Sequence, residues 1–298
     1  MNETLALIGV DWSGARLSAW AFDDAGEILS SAVMNEPRRP EPAEFAARTR
    51  YHLAEWLGAW PEVPVIASGE IGILSLSCPE LSRTVPPLTL PVTLPAIAGA
   101  LLTVEGLHIV PWAGQASPPD LSCGAEAILA GLEDDHGIVC IAGRHTRHVR
   151  LEHGRITRMA TGMVIELRDL LLAAGSLALR PGAPAQTFSA DVFREWVEAA
   201  LDTENRPPVF AVEAAVQTGR LSPAHKAAAL TGLLIGGDVA VHYDPGDEVL
   251  LVADDPLLEA YGLAFDALGV EVDEISATGA LQDGLFELAD LAGLLGQD

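Results

Sequence analysis

Basic side chains are scarce in this sequence. Lysine and arginine together number 17 against 42 aspartates and glutamates, a formal net charge of −25 over 298 residues. Lys226 is the one lysine, so every other permanently cationic side chain is an arginine. That balance disfavours a nucleic-acid role, because a phosphate backbone needs basic surface. It also requires any anionic ligand to find a local cationic patch. Cysteine is rare too: Cys78, Cys123 and Cys140 are odd in number and lack the Cys-x-x-Cys spacing of a metal knuckle. A disulfide framework is not expected, which fits a reducing compartment. No uninterrupted apolar run reaches the roughly 18 residues of a membrane span, and Met1-Asn2-Glu3-Thr4 lacks the basic opening of a secretory leader. The expectation is a cytoplasmic protein that binds neither membrane nor nucleic acid.

What the chain does have is apolar content. Hydrophobic residues make up 49% and mean hydropathy is positive, enough at this length for two domains with cores of their own. The most informative stretch is Leu7-Ile8-Gly9-Val10-Asp11-Trp12-Ser13-Gly14-Ala15-Arg16-Leu17-Ser18-Ala19-Trp20. An apolar run ends in a carboxylate, passes a Ser-Gly pair and resumes as a second alternating run to Phe22. This predicts a strand, a tight turn and a returning strand, with Gly14 able to take a positive φ. Asp11, where the first strand opens out, can hold a hydrated divalent metal or orient a nucleophile. In the plainer reading Asp11 and Gly14 are ordinary turn formers.

Beyond Phe22 the pattern predicts strands over 27–33, 64–68 and 107–111 and a helix over 43–60. Pro86, Pro87, Pro91 and Pro95 argue against a central strand or helix over 81–98, and 115–122 reads as a flexible loop. Asp134-Asp135-His136-Gly137 marks a domain junction, dividing the chain into 1–135 and 136–298. A strand over 138–142 leads to a hairpin turning at His153-Gly154, then a helix from Thr161-Gly162 to Leu172. Ser189 caps a helix over 190–201, and Ser222-Pro223 starts another that runs through Ala240. A strand over 248–253, a helix over 257–268, a strand over 270–275 and a helix over 279–295 complete the chain. Five arginines and three histidines lie between Arg144 and Arg158. The alternation there describes a hairpin with one basic face. That face is a solvated surface, an anion site in which Arg144 supplies charge-assisted bonds, or a patch for an acidic partner.

Asp11-Trp12, Leu17 and Ala19-Trp20 resemble the opening of the 2-keto-3-deoxygalactonokinases, actin-like sugar kinases that usually read D-W-G-[ST]-[ST]-x-x-R-A-W. Here Ser13 and Gly14 exchange the usual order, Ala15 stands for a hydroxyl residue and Ser18 for Arg. Ser68-Gly69-Glu70-Ile71-Gly72-Ile73 resembles the family's substrate-holding A-G-M-[IV]-G-S. Both glycines are kept, and Ser75 and Ser77 either replace the lost hydroxyl or are simple loop serines. Cys123-Gly124-Ala125-Glu126 stands where the family has R-G-E-E at a helix start facing substrate. Only Glu126 survives, and an acidic first-turn residue is also what the helix dipole favours. Gly143-Arg144-His145 through Val149 resembles the second phosphate motif, P-G-T-H-x-K-W-[VI], with Arg144 for Thr, Arg147 for Lys and His148 for Trp. Glu166-Leu167 resembles the E-L of T-G-E-L.

Thr231 to Val239 resembles S-G-L-L-I-G-x-E-[VL]. Its glycines pack against another backbone or, at Gly236, approach the cofactor. Asp254-Asp255-Pro256 replaces a small adenosine-contacting turn. Carboxylates there would repel a triphosphate, by up to about 4 kcal/mol for unit charges 4 Å apart at an effective dielectric of 20. The expectation is that they cap the following helix instead.

The resemblance spans nearly the whole chain. It implies an α/β, actin-like ATPase (ribonuclease H-like) fold with two domains flanking a nucleotide cleft. It implies ATP and Mg2+ as cofactors and phosphate transfer to the 6-hydroxyl of 2-keto-3-deoxygalactonate or a related small-molecule sugar acid, chemistry dominated by positioning and charge neutralisation. Carried over residue by residue, Asp11 and Glu126 are the catalytic candidates, with Asp11 also the metal ligand. Ser13, Gly14, Gly143, Arg144, His145 and Gly236 are candidates for nucleotide, and Gly69, Gly72 and Glu126 for the sugar acid. The changes at Ala15, Ser18, Ile73, Cys123, Ala125, Arg144 and Asp254-Asp255 leave an alternative: a kinase-fold protein impaired in transfer that binds a metabolite or protein partner. Either is compatible with a homo-oligomer.

Overall fold

The computed structural model describes residues 5–73, 88–132 and 137–296. Ser75, Ser77, Cys78 and the 134–136 part of the expected junction lie outside them. The contacts divide the chain into two units. The first takes Met1–His136, Arg150–Met159 and Ala277–Asp298; the second takes Gly137–Val149 and Ala160–Ser276.

In the first unit β1 (Leu7–Ser13) is buried along most of its length and lies inside the sheet. β2 (Arg16–Phe22) and β3 (Ile28–Asn35) follow as antiparallel neighbours. The helical spacing over 43–60 produces α1 (Phe45–His52) and α2 (Ala54–Ala59), separated at Leu53. β4 (Val65–Gly69) then returns parallel to β1, with Asp11 opposite Ser68 and Trp12 opposite Gly69. Trp12 anchors the layer above the sheet. Its Nε1–H donates to Thr49 Oγ1 (2.8 Å), which donates to the Phe45 carbonyl (2.8 Å), and its ring meets Phe45 edge-on at 5.3 Å.

Two departures from the sequence expectation follow. Short strands β5 (Leu88–Thr89) and β6 (Val92–Thr93) and the helix α3 (Leu94–Ala98) occupy the proline-rich stretch. Pro95 is accommodated because it sits in the first turn, where an amide has no intrahelical acceptor. After β7 (Leu102–Val104) and β8 (Leu107–Ile109), residues 113–122 form an antiparallel pair, β9 (Ala113–Ala116) and β10 (Pro119–Ser122), rather than a flexible loop. Gln115 orders it: its Nε2 donates to the Met159 carbonyl (2.7 Å) and its Oε1 accepts from the Met159 amide (3.0 Å). α4 (Ala125–Ala130) closes this part of the unit.

The second unit repeats the plan. β11 (Gly137–Ile141) is followed by β12 (Thr146–Glu152) and β13 (Arg155–Gly162). Then come α5 (Val164–Ala173), α6 (Ala190–Leu201), α7 (Ala211–Gln217) and α8 (Lys226–His242). β14 (Glu248–Ala253) is parallel to β11, and α9 (Leu257–Leu268) leads to β15 (Glu271–Ser276), parallel to β14. The strand order β13-β12-β11-β14-β15 matches β3-β2-β1-β4-β8 of the first unit. The β1–β2 and β11–β12 turns are therefore topological equivalents. The outer segment of the β12–β13 hairpin groups with the first unit, where Arg155 and Ile156 pair with Thr93 and Val92. Its basic residues do not share one face: Arg144, Arg150, Arg155 and Arg158 are exposed, whereas His148 is buried.

Small residues bring helices together. A Cβ on Gly232 or Gly236 of α8 would lie 2.4 Å from the Phe193 carbonyl oxygen or 2.8 Å from that of Val197 on α6, so protein backbone fills the space beside both. The final helix, α10 (Ala277–Leu291), groups with the first unit. There a Cβ on Gly284 would fall 1.7 Å from the Ala127 carbonyl oxygen of α4. Lys226 is buried and ion-paired with buried Glu213, which Arg180 also approaches (3.6 Å). Among the described residues no helix is long and apolar enough to cross a membrane.

Gly284→Ala should lower stability by about 1–3 kcal/mol in urea unfolding, since the backbone it strikes cannot yield as a side chain would. Gly58→Ala in α2, with nothing within 4 Å of the added carbon, should be neutral or gain up to about 1 kcal/mol.

Candidate functional site

Two clusters hold most of the sequence-derived candidates, one in each unit. In the first, parallel pairing sets Asp11 beside Ser68 at the ends of β1 and β4. Open α/β sheets bind ligands at such carboxyl ends, where neighbouring connections diverge. Gly69 has φ +82°, and a Cβ there would lie 2.3 Å from the Trp12 carbonyl oxygen and 2.6 Å from Asp11 Oδ1. Only glycine fits, on both counts. Gly124 closes on the same place, its added carbon meeting the Gly69 α-carbon at 3.2 Å and Ser68 Oγ at 3.7 Å.

Asp11, Gly69 and the start of α4 are thus brought together, and Ser68, which motif reading passed over, joins them. The Ser68 and Ser122 hydroxyls are buried and find no hydrogen-bond partner among the described residues. A buried polar group left this way costs roughly 1–3 kcal/mol and calls for a partner.

Glu126 is 1% exposed. Its Oε1 accepts from the Ala113 amide (2.9 Å), so the carboxylate fastens α4 to β9. Gly72 packs elsewhere, against the Trp112 indole, 2.3 Å from where its Cβ would be. Glu70, standing where the family motif has Met, pairs with Arg39 (2.6 Å).

At the β1–β2 turn Gly14 has φ +63° and open space around its α-carbon, and Ser13 and Arg16 are opposed across the hairpin. At the equivalent turn in the second unit the nearest atom to a Cβ on Gly143 would be the His145 carbonyl oxygen, at 3.6 Å. Both turns leave space beside the glycine α-carbon for an added carbon. Beside Gly143, Glu166 takes a short hydrogen bond from His145 Nε2 and lies 3.6 Å from Arg144 Nε. Arg147 donates to the His145 carbonyl (3.1 Å). The His145 hydrogen bond first, and the Arg144 charge after it, hold the Glu166 carboxyl below the usual carboxylate range. Arg144 remains largely exposed and His145 half-buried. Gly236 joins neither cluster and faces α6. Asp254 accepts from Ser276 Oγ (2.7 Å), while its carbonyl receives the Leu257 and Leu258 amides at the start of α9.

A family model described as 2-keto-3-deoxy-galactonokinase matches residues 11–288. The 2-dehydro-3-deoxygalactonokinase of Escherichia coli K12 is 28% identical over 300 residues, covering 96% of this chain and 98% of that protein. A solved structure from Sinorhizobium meliloti, described as a 2-dehydro-3-deoxygalactonokinase, superposes with a TM-score of 0.82 at 25% identity over 98% of both chains. The fold alone is shared with the activator of the Clostridium difficile 2-hydroxyisocaproyl-CoA dehydratase, at a TM-score of 0.50, 10% identity and 97% and 96% coverage.

Glu166 has a depressed folded-state pKa. Its contribution to stability is therefore complete above the unfolded carboxylate value and lost as pH falls through the lower folded one. The melting-temperature difference between the native protein and Glu166→Gln should be larger at about pH 5 than in more acid buffers, shrinking progressively as pH falls. A difference independent of pH down to pH 3 would contradict it.

Proposed function

The chain belongs to the 2-keto-3-deoxygalactonokinase family, and on that premise we propose that it transfers the terminal phosphate of MgATP to the 6-hydroxyl of a 2-keto-3-deoxy sugar acid, with 2-keto-3-deoxygalactonate the first candidate. Its fold is that of the actin-like sugar kinases. The observation that carries the reading is the meeting of Asp11, Ser68 Oγ, Gly69 and Gly124 at the strand ends of the first unit. A carboxylate, an unsatisfied buried hydroxyl and two side-chain-free positions suit a small, hydroxyl-rich ligand.

MgATP fits the residues present. Gly14 and Gly143 expose backbone at two equivalent turns, and Asp11 is a hard oxygen ligand suited to Mg2+ with its waters retained. When bound, MgATP supplies an electrophilic phosphorus whose charge the metal partly neutralises. Asp11 would hold the metal or orient the attacking hydroxyl. Gly143, Arg144 and His145 would receive phosphate oxygens, the guanidinium replacing the neutral hydroxyl of the family motif with a stronger, charge-assisted donor. Glu166 keeps Arg144 and His145 aimed but competes for them, so phosphate binding must outbid a carboxylate already in place.

Glu126 acts as a positioning residue, holding the α4 start, and with it Gly124, against β9. With Lys226 buried and ion-paired, arginine is the remaining permanent side-chain cation for the sugar acid's carboxylate.

The test is ADP release from MgATP with and without 2-keto-3-deoxygalactonate. Release should depend on the sugar acid. Asp11→Asn should lower kcat by about 10²-fold or more, while Glu126→Gln should act mainly on KM. No sugar-acid-dependent release from protein with a cooperative melting transition would discard the phosphotransfer reading in favour of the impaired binder.

A further inference from the structure

Inside the second unit, β12 and α8 face each other with three metal-ligating side chains. Asp238 and His242 are one helical turn apart on α8, a spacing that sets both on one side of the helix. His148 reaches them from β12. One ligand atom from each lies within 4.8 Å of the others. We propose that His148, Asp238 and His242 form a binding site for a borderline divalent transition-metal ion, zinc in the first place.

The hydrogen bonds around the cluster carry this reading. His148 Nδ1 is 2.6 Å from the buried Tyr243 hydroxyl. In the tautomer whose Nδ1–H donates to that hydroxyl, Nε2 carries the lone pair. Nε2 is buried and lies 3.1 Å from Asp238 Oδ2, without the alignment of a hydrogen bond. A ring nitrogen lone pair and a carboxylate oxygen at that separation repel unless a cation lies between them.

The His242 ring stacks on His148 at 3.8 Å and 17°. One metal ion satisfies all three groups at once. Bonds of about 2.1 Å at a tetrahedral angle place ligand atoms roughly 3.4 Å apart, so modest rotation of His242 closes the set. His242 Nε2 now stands 4.0 Å from Asp238 Oδ1, and its side chain is 26% exposed, which gives an ion a way in.

The second layer of contacts is also that of a metal site. The Tyr243 hydroxyl holds the His148 ring through Nδ1. Tyr261 donates to Asp238 Oδ2 (3.0 Å), and Thr146 Oγ1 lies 2.6 Å from the Tyr261 hydroxyl. Such partners orient ligands and raise affinity. Two imidazoles and one carboxylate leave a fourth position for water, and nitrogen donors select zinc-class ions over Mg2+. The ion would clip α8 to β12.

Tag-free protein, stripped with chelator and dialysed into magnesium-containing buffer, is titrated with zinc sulfate by calorimetry. Expected is one equivalent bound at micromolar affinity or tighter, with proton release, and a raised melting temperature. Substitution by Co2+ should give the visible bands of a site with nitrogen ligands. His242→Ala, a position with a partly exposed side chain that should fold, and Asp238→Asn should each weaken binding by about tenfold or more. Tyr243→Phe should weaken it by about 10-fold through the His148 tautomer. His225→Ala, outside the cluster, should leave it unchanged. Absence of zinc binding at micromolar concentration, or binding unaltered in both His242→Ala and Asp238→Asn, overturns the proposal.

Discussion

Both units depend on helices approaching closer than side chains allow. Where a Cβ on Gly284 would fall 1.7 Å from a carbonyl oxygen of α4, backbone meets backbone, and no rearrangement of rotamers can substitute. The same holds where Gly232 and Gly236 press α8 onto α6. These contacts fix the layers against the sheets, and the sheets fix where β1 and β11 end. The turns after those strands are therefore set by packing at positions far from them in sequence. Gly69 extends the constraint into the site itself, where any larger residue would displace Asp11 or break the β1–β4 pairing.

Charge is arranged as carefully as volume. In a chain with so few cations, the ones that matter are tied down by acids: Arg144 and His145 by Glu166, Lys226 by Glu213, Arg39 by Glu70. Pairing of this kind fixes direction at little net energy when the group is exposed. For an acidic protein handling an anionic ligand, it keeps cations aimed rather than scattered. The Arg144 turn shows the compromise, since the carboxylate that orients it would also compete with a phosphate for the guanidinium.

The strand–turn–strand around Asp11, the glycine turns and the two capped helices starting near Ser189 and Ser222 were all legible in the sequence. Each is a local pattern with a local cause. The architecture followed because those patterns arrive in a fixed order. What escaped sequence reading was non-local. Gln115 orders the β9–β10 pair by reaching Met159, so composition alone made that stretch a loop. Pro95 broke no helix because it occupies the first turn. Ser68 matters only through its neighbour across the sheet. His148 reads as one more basic residue of a hairpin until the fold turns it inward, toward residues some ninety positions away.

The burial of the one lysine has a chemical corollary. A ketone carbonyl in a substrate is vulnerable wherever an enzyme offers a neutral amine, because the two condense to an imine and activate the neighbouring carbon. The Lys226 amine is enclosed and held by Glu213. The 2-keto acid proposed as substrate would meet no side-chain amine other than this buried one. Its carbonyl would pass through as a recognition feature only, and the carbon skeleton would leave as it came.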